Sequence, residues 1–291
     1  MKIIHFCAGI QSNNGMANTA RQFVAEELAR GDDSRLTNSP DEVAGEVDVV
    51  MIHGAWLPVL WKAAKRAKAV GARLYLRPAG SYDPVRLAYH GWKKRLAAFF
   101  EHRMLRRADV VLASCAAEAE WIKAYEPKIQ KMEITELKRF FKLSQSDKTG
   151  QTCFITSKPL HLLYLGRRHP LKGVECLEAA VRDMPEVELR IVSDAEGGEL
   201  ERAWQWCEVL VLPTLSENFG RVVAEALERG KRVITTDGAP AWGEGLSRVD
   251  RVEGEVWSGY GGQLIYLKGY RDGTDEERVK LLKKAIEDIC K

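Results

Sequence analysis

Glu217 and Glu225 lie eight positions apart in "LPTLSENFGRVVAEALERG", one before and one after an Asn-Phe-Gly turn. The bland reading is a helix start with a solvated acid beyond it; the sharper one is a sugar-nucleotide site. Glu225 is flanked by apolar neighbours in "VVAEAL", and an acid buried there needs a partner. Upstream, "YLGRRHPLKG" (164–173) places Arg167, Arg168 and Lys172 where a strand gives way to a helix. Such a cluster suits a diphosphate leaving group, because fixed cations tighten their hold as charge develops on its oxygens, without a metal ion. A third loop, "CAGIQSNNGMANTA" (7–20), enters a helix near Met16. Gly9 and Gly15 would let an anion approach the backbone N–H groups of that helix start, although a capped Asn-Gly turn explains the loop equally well. The full G-x-G-x-x-G spacing is missing, so a dinucleotide fingerprint is not supported.

Elements that could position these loops alternate along the chain. Short apolar runs at 2–7, 47–54, 72–78 and 109–114 read as strands, separated by helical patterns at 15–31, 57–71, 84–108 and 115–125. The alternation resumes with strands at 160–166, 186–193, 208–213 and 232–237 and helices at 171–184, 198–207 and 219–229. Apolar Val279, Leu282, Ile286 and Ile289 recur at helical spacing in a last amphipathic helix, 275–291. Strand–helix alternation implies βαβ crossovers and parallel sheets. The polar, Ser/Thr-rich stretch 142–158 marks a junction, giving two Rossmann-like α/β domains, 1–150 and 151–291, facing a central cleft. In open parallel sheets ligands bind at the carboxyl ends of the strands.

Composition narrows the class. With 45% hydrophobic and 29% charged residues the chain is that of an ordinary water-soluble globular protein. There is no apolar run of membrane-spanning length, and "MKIIHFC" lacks the features of a signal peptide. Six scattered cysteines without a C-x-x-C pair argue for a reducing cytosol and against a disulfide framework or structural zinc. Residues 1–150 hold 24 Lys and Arg against 17 Asp and Glu, while the remainder holds 20 against 24. A basic first half and an acidic second half suggest different partners, an anionic acceptor or membrane being one for the first. No nucleic-acid motif is present, and the aromatic and basic residues lack the interleaving of a stacking platform.

On these residues the chain resembles the family-4 glycosyltransferases of the GT-B fold, retaining enzymes that use nucleotide-sugar donors. "SENFGRVVAEALERGKRVITT" matches the family's E-x(7)-E signature and "LGRRHPLKG" its donor-phosphate loop; "LRPAGSYDP" (76–84) and the stretch 91–122 resemble the acceptor domain of its polysaccharide and lipopolysaccharide branch. The resemblance implies that Arg167 and Lys172 hold the diphosphate and that Glu217 meets the donor hexose. Backbone N–H groups of Asn218, Phe219 and Gly220 would meet donor oxygens, Gly15 would lie on the donor side, and Glu225 would accept from the ribose. Eight residues at helical rise span about 12 Å, a sugar at one end and a ribose at the other. His53, Arg77 and Asp83 are acceptor-side candidates; as a lone histidine, His53 also suits a structural role. Two departures stand out. Ala79 occupies the place where members commonly carry a His, and the 192–213 segment is short of a strand and helix that usually contact the base.

The expectation is therefore a cytoplasmic, metal-independent hexosyltransferase without a cofactor, using a UDP-sugar and a glycan or glycolipid acceptor. A non-catalytic nucleotide-sugar-binding partner of another transferase, or a GT-B sugar-nucleotide epimerase, is the alternative. In "GWKKRLAAFFEHRMLRR" (91–107) apolar and basic residues interleave. Either the apolar ones face a core below a solvated basic face, or the helix docks on anionic lipid at the inner face of the plasma membrane.

Overall fold

The computed structural model describes residues 1–11, 14–89, 91–135, 159–193, 195–243, 254–258 and 263–290. They fall into two compact units, Met1–Glu136 and Leu137–Lys291. The expected junction, 142–158, and the expected boundary at 150/151 lie outside the described residues.

The first unit runs β1 (Lys2–Cys7), α1 (Gly15–Ala29), β2 (Asp33–Thr37), β3 (Val49–His53), α2 (Pro58–Ala69) and β4 (Arg73–Arg77). It continues with α3 (Pro84–Ala88), α4 (Gly91–Arg107), β5 (Val110–Ala113), α5 (Ala116–Tyr125) and β6 (Met132–Ile134). The strands form one parallel sheet in the order β2-β1-β3-β4-β5-β6. Helices cover both faces, so the central strands are apolar on both sides, and all four residues of β5 are buried. Local chemistry sets the helix starts. Asn14 Oδ1 caps α1 by accepting from Ala17 N–H at 2.9 Å, and Pro58 opens α2. The helical region expected over 84–108 is two helices, because Tyr89 takes an extended conformation between them.

The second unit runs β7 (Leu160–Leu165), α6 (Val174–Val181), β8 (Val187–Val192), α7 (Gly197–Trp206), β9 (Val209–Leu212) and α8 (Arg221–Glu228). After it come β10 (Arg232–Thr236), α9 (Pro240–Gly243), β11 (Gly254–Ser258), β12 (Gln263–Leu267) and α10 (Asp275–Cys290). The sheet order is β11-β12-β10-β9-β7-β8, parallel except for antiparallel β11 at the edge. Two expected helices start late, both because of glycine. Gly173 (φ 63°) and Gly220 (φ 64°) are left-handed and cannot continue a right-handed helix. The expected helix at 171 is thus a short 3₁₀ turn, Pro170–Lys172, followed by α6, and α8 starts at Arg221 rather than Phe219. Among the described residues no helix is long and apolar enough to cross a membrane.

Each sheet has a point where the chain reverses its direction of growth. In the first it lies between β1 and β3, in the second between β7 and β9. The carboxyl ends of such neighbouring strands are where ligands bind in this class of sheet.

Candidate functional site

In the second unit the loops leaving β7 and β9 carry the residues singled out by sequence. Lys172 Nζ forms an ion pair with Glu217 Oε2, joining residues on two loops at the reversal point. Both side chains remain about one-fifth exposed, at 23% and 20%. The backbone beneath them is cross-linked. Leu171 C=O accepts from Leu215 N–H at 2.9 Å and from Thr214 Oγ1 at 3.0 Å. Glu217 N–H donates to Gly238 C=O at 2.7 Å, tying the loop after β9 to the one after β10. Asn218 N–H donates to Glu217 Oε1 at 3.1 Å, and the Phe219 carbonyl accepts from Trp242 Nε1. A Cβ on Gly173 would overlap the Pro213 carbonyl, so glycine permits the two loops to meet.

The three cations of the first loop separate. Arg168 is engaged bidentately by Glu178, at 3.0 and 2.5 Å, on α6. Arg167 is exposed, with its carbonyl accepting from Tyr164 Oη at 3.0 Å. Glu225 lies on α8 with Arg221 Nη2 at 3.6 Å, the partner its apolar setting called for. Burial raises its carboxyl pKa, and Arg221 and Arg229 oppose the rise. The 12 Å helical span expected between Glu217 and Glu225 does not apply, since Glu217–Gly220 precede α8.

The first unit gathers polar groups at the carboxyl ends of β1, β3 and β4. Cys7, His53 and Arg77 are register partners across these strands and all are buried. His53 is not isolated. Its Nε2 lies 2.9 Å from His5 Nδ1, and His5 Nε2 lies 2.7 Å from Glu27 Oε2, which also accepts from Ser34 Oγ at 2.7 Å. Burial alone would raise the Glu27 pKa, but His5, Ser34 and Arg30 together outweigh it and hold the group below its ordinary value. Burial, reinforced by His5 and Arg77, pushes His53 well below the usual histidine range, so it is neutral. With Glu27 as acceptor, His5 Nε2 donates to it, and a single proton is shared between His53 Nε2 and His5 Nδ1. His53 Nδ1 is buried, and among the described residues it has no hydrogen-bond partner.

Two strained loops adjoin these strand ends. Trp56 (φ 69°) follows β3 and Ala79 (φ 55°) follows β4, both in the left-handed region that side chains disfavour. Buried carboxylates pin them. Glu101 accepts from Trp56 N–H at 3.2 Å, Trp61 Nε1 at 2.7 Å and Tyr82 Oη at 2.6 Å. Glu118 accepts from Gly80 N–H at 2.5 Å and Ser114 N–H at 2.7 Å. Asp83 is buried and caps α3, accepting from Val85 N–H at 2.9 Å. Gly15 is the first residue of α1, immediately after its Asn14 cap. A recess of about 490 Å³ lies in this unit, lined by Trp56, Trp92, Lys94, Arg95 and Tyr125 among others. Sequence reasoning missed His5, Glu27, Glu101 and Glu118. The signal was present: a histidine inside an apolar strand, and acids on helices that pack against the sheet.

The comparisons agree with this architecture. Residues 35–136 match the model of a glycosyl transferase 4-like domain. No curated protein sequence matches the chain. Sucrose-phosphate synthase from Thermosynechococcus elongatus is similar at 13% identity and TM-score 0.68, over 100% of this chain and 91% of that one. Anabaena HepE in complex with UDP-glucose is 17% identical with TM-score 0.62, over 99% and 90%. The lipopolysaccharide outer core galactosyltransferase WaaB is 15% identical with TM-score 0.57, over 100% and 92%. The chain has the GT-B fold, two Rossmann-like units each built on its own sheet.

Proposed function

We propose that the chain is a glycosyltransferase moving a hexose-type sugar from a nucleotide-sugar, a UDP-sugar first, to a lipopolysaccharide or surface-polysaccharide acceptor. The observation that carries this reading is the meeting of Lys172 and Glu217 at the reversal point of the second sheet. A cation for phosphate beside a carboxylate for hydroxyls is the pairing a sugar diphosphate requires, and the exposed Arg167 adds charge on the same loop. The match of residues 35–136 to a glycosyl transferase 4-like domain, and the fold shared with a UDP-glucose complex, support the reading.

In this scheme Arg167 and Lys172 stabilise the leaving diphosphate without a metal ion. Glu217 selects the sugar by accepting hydrogen bonds from its hydroxyls, Asn218, Phe219 and Gly220 offer backbone N–H groups, Gly15 allows close approach, and Glu225 holds the ribose. The bond from the anomeric carbon to phosphate oxygen breaks as the bond to the acceptor oxygen forms on the same face. The acceptor proton passes to the departing phosphate, so configuration is retained with no protein nucleophile. We assign the acceptor to the first unit, at the strand ends bearing His53, Arg77 and Asp83, in a protein of the cytoplasmic compartment.

Calorimetric titration with UDP-, GDP- and ADP-sugars, joined to an assay of donor hydrolysis, tests this. A UDP-sugar should bind, and Lys172→Met should weaken it about 10- to 100-fold, the loss of one charge-assisted contact. Absence of both binding and hydrolysis across the panel overturns the reading. Unchanged binding by Glu217→Ala removes that residue from the site.

A further inference from the structure

Helix α4 presents its large apolar side chains outward. Trp92, Leu96, Phe99 and Phe100 are 64%, 75%, 67% and 50% exposed, while Glu101, Met104 and Leu105 face the core. At about 100° per residue these four side chains fill a single arc of the helix. Lys93 and Arg95 border the arc on either side, and Arg103 and Arg107 continue it toward the C-terminal end. The sole acid on α4, Glu101, is 0% exposed, so the outward face carries no negative charge. Phe100 stacks on Trp61 with ring centroids 5.0 Å apart, extending the apolar surface toward α2, and Lys93 Nζ sits 5.5 Å from the centre of the Trp92 ring. Together the four side chains expose on the order of 500 Å² of apolar surface, at the upper end of what a monomer normally leaves to water.

We propose that this face of α4 is a docking surface for an anionic lipid bilayer, with the helix lying in the plane of the headgroups. Aromatic and aliphatic side chains enter the acyl boundary while Lys93, Arg95, Arg103 and Arg107 meet lipid phosphates. Charge argues against a second copy of the chain as the occupant. A two-fold contact through this face would set cations against cations, with no exposed acid on α4 to compensate. Trp92 and Arg95 also line the recess beside the helix, so a headgroup at this surface has a cationic, aromatic hollow next to it. The docking is independent of transferase activity and is tested without a donor.

The full chain should co-sediment with phosphatidylcholine vesicles containing one-third phosphatidylglycerol at least about ten-fold more strongly than with pure phosphatidylcholine, and high salt should release it. Leu96→Ser/Phe99→Ser should lower vesicle binding at least about ten-fold with an unchanged melting temperature, since both side chains are solvent-exposed. Lys93→Glu/Arg95→Glu provides a second, charge-only test, with a similar loss expected on anionic vesicles alone. The proposal is overturned if the wild-type chain ignores anionic vesicles or if both double variants bind like wild type. It is equally overturned if the chain is a dimer in lipid-free solution that Leu96→Ser/Phe99→Ser converts to a monomer. Inorganic phosphate that displaces the chain from vesicles no better than chloride at equal ionic strength supports a surface rather than a single phosphate site; specific displacement by phosphate overturns it.

Discussion

Gly238→Ala offers the sharpest test of how the loops of the second unit are held. A Cβ at this position would overlap the Thr214 carbonyl oxygen and stand 2.7 Å from the carbonyl carbons of both Thr214 and Leu215. Ordinary carbon–carbon contact begins near 3.4 Å, so one backbone must retreat by about 0.7 Å or more. The retreat is resisted, because Thr214 and Leu215 are hydrogen-bonded to Leu171 and the Thr214 carbonyl accepts from Thr236 Oγ1. Overpacking of this kind costs about 1–3 kcal/mol, and each hydrogen bond stretched beyond use adds about 1 kcal/mol. A total of about 3 kcal/mol in a unit of this size lowers the melting temperature by roughly 6–12 °C. The displaced backbone also carries Glu217, whose N–H donates to Gly238 C=O, so nucleotide-sugar affinity should fall alongside stability. Thermal unfolding followed by circular dichroism, with Gly91→Ala as a control that meets nothing within 4 Å, reads the first effect. A Gly238→Ala protein melting within about a degree of wild type would refute the close approach of these loops.

Other expectations follow from the first unit. His5→Ala strips Glu27 of its histidine donor and leaves a buried carboxylate held by Ser34, with an expected loss of about 3 kcal/mol in urea unfolding. Glu101→Leu orphans the hydrogens of Trp56, Trp61 and Tyr82 and should cost at least about 3 kcal/mol, seen as a lower urea midpoint. The acid limb of stability should depend on Asp109. Burial raises its pKa, but Lys68 and the Leu74 N–H, both at 2.6 Å, outweigh that and hold it below its ordinary 3.8. A depressed carboxyl stabilises above the unfolded value and loses that contribution as pH falls through the folded one. Asp109→Asn should therefore be less stable at neutral pH yet lose less on acidification below about pH 4, measured by urea midpoints against pH.

Strands with unbroken apolar runs, such as "VVLAS" and "VLVLP", announce themselves because a two-sided sheet buries both faces. β2 reads "DSRLT", with one large apolar residue, and β6 is three residues long. Neither leaves a pattern that periodicity detects. β12 carries a legible run, Leu264–Leu267, but the strand–helix alternation has no place for an antiparallel β11–β12 pair after β10. Lys172 and Glu217 were legible because each sits where a strand ends and a helix begins. Their ion pair was not, since 45 residues and a sheet crossover separate them. The His53–His5–Glu27 chain was hidden for the same reason, drawing one residue from each of three elements. The outward stripe of α4 was ambiguous by nature, because periodicity gives an apolar face without saying what lies opposite it.

The carboxylates Glu101 and Glu118 have a thermodynamic consequence for any ligand at the strand ends of the first unit. They fix Trp56 and Gly80 in their unusual backbone states during folding itself. The conformational entropy of those turns is surrendered before a ligand arrives and does not count against binding. Deuterium should accordingly replace the amide hydrogens of Trp56 and Gly80 slowly in the ligand-free chain, on the timescale of global opening rather than of surface loops. Association at that end of the sheet should then proceed as encounter with a ready-made surface, its rate set by diffusion and charge rather than by rearrangement of the loops.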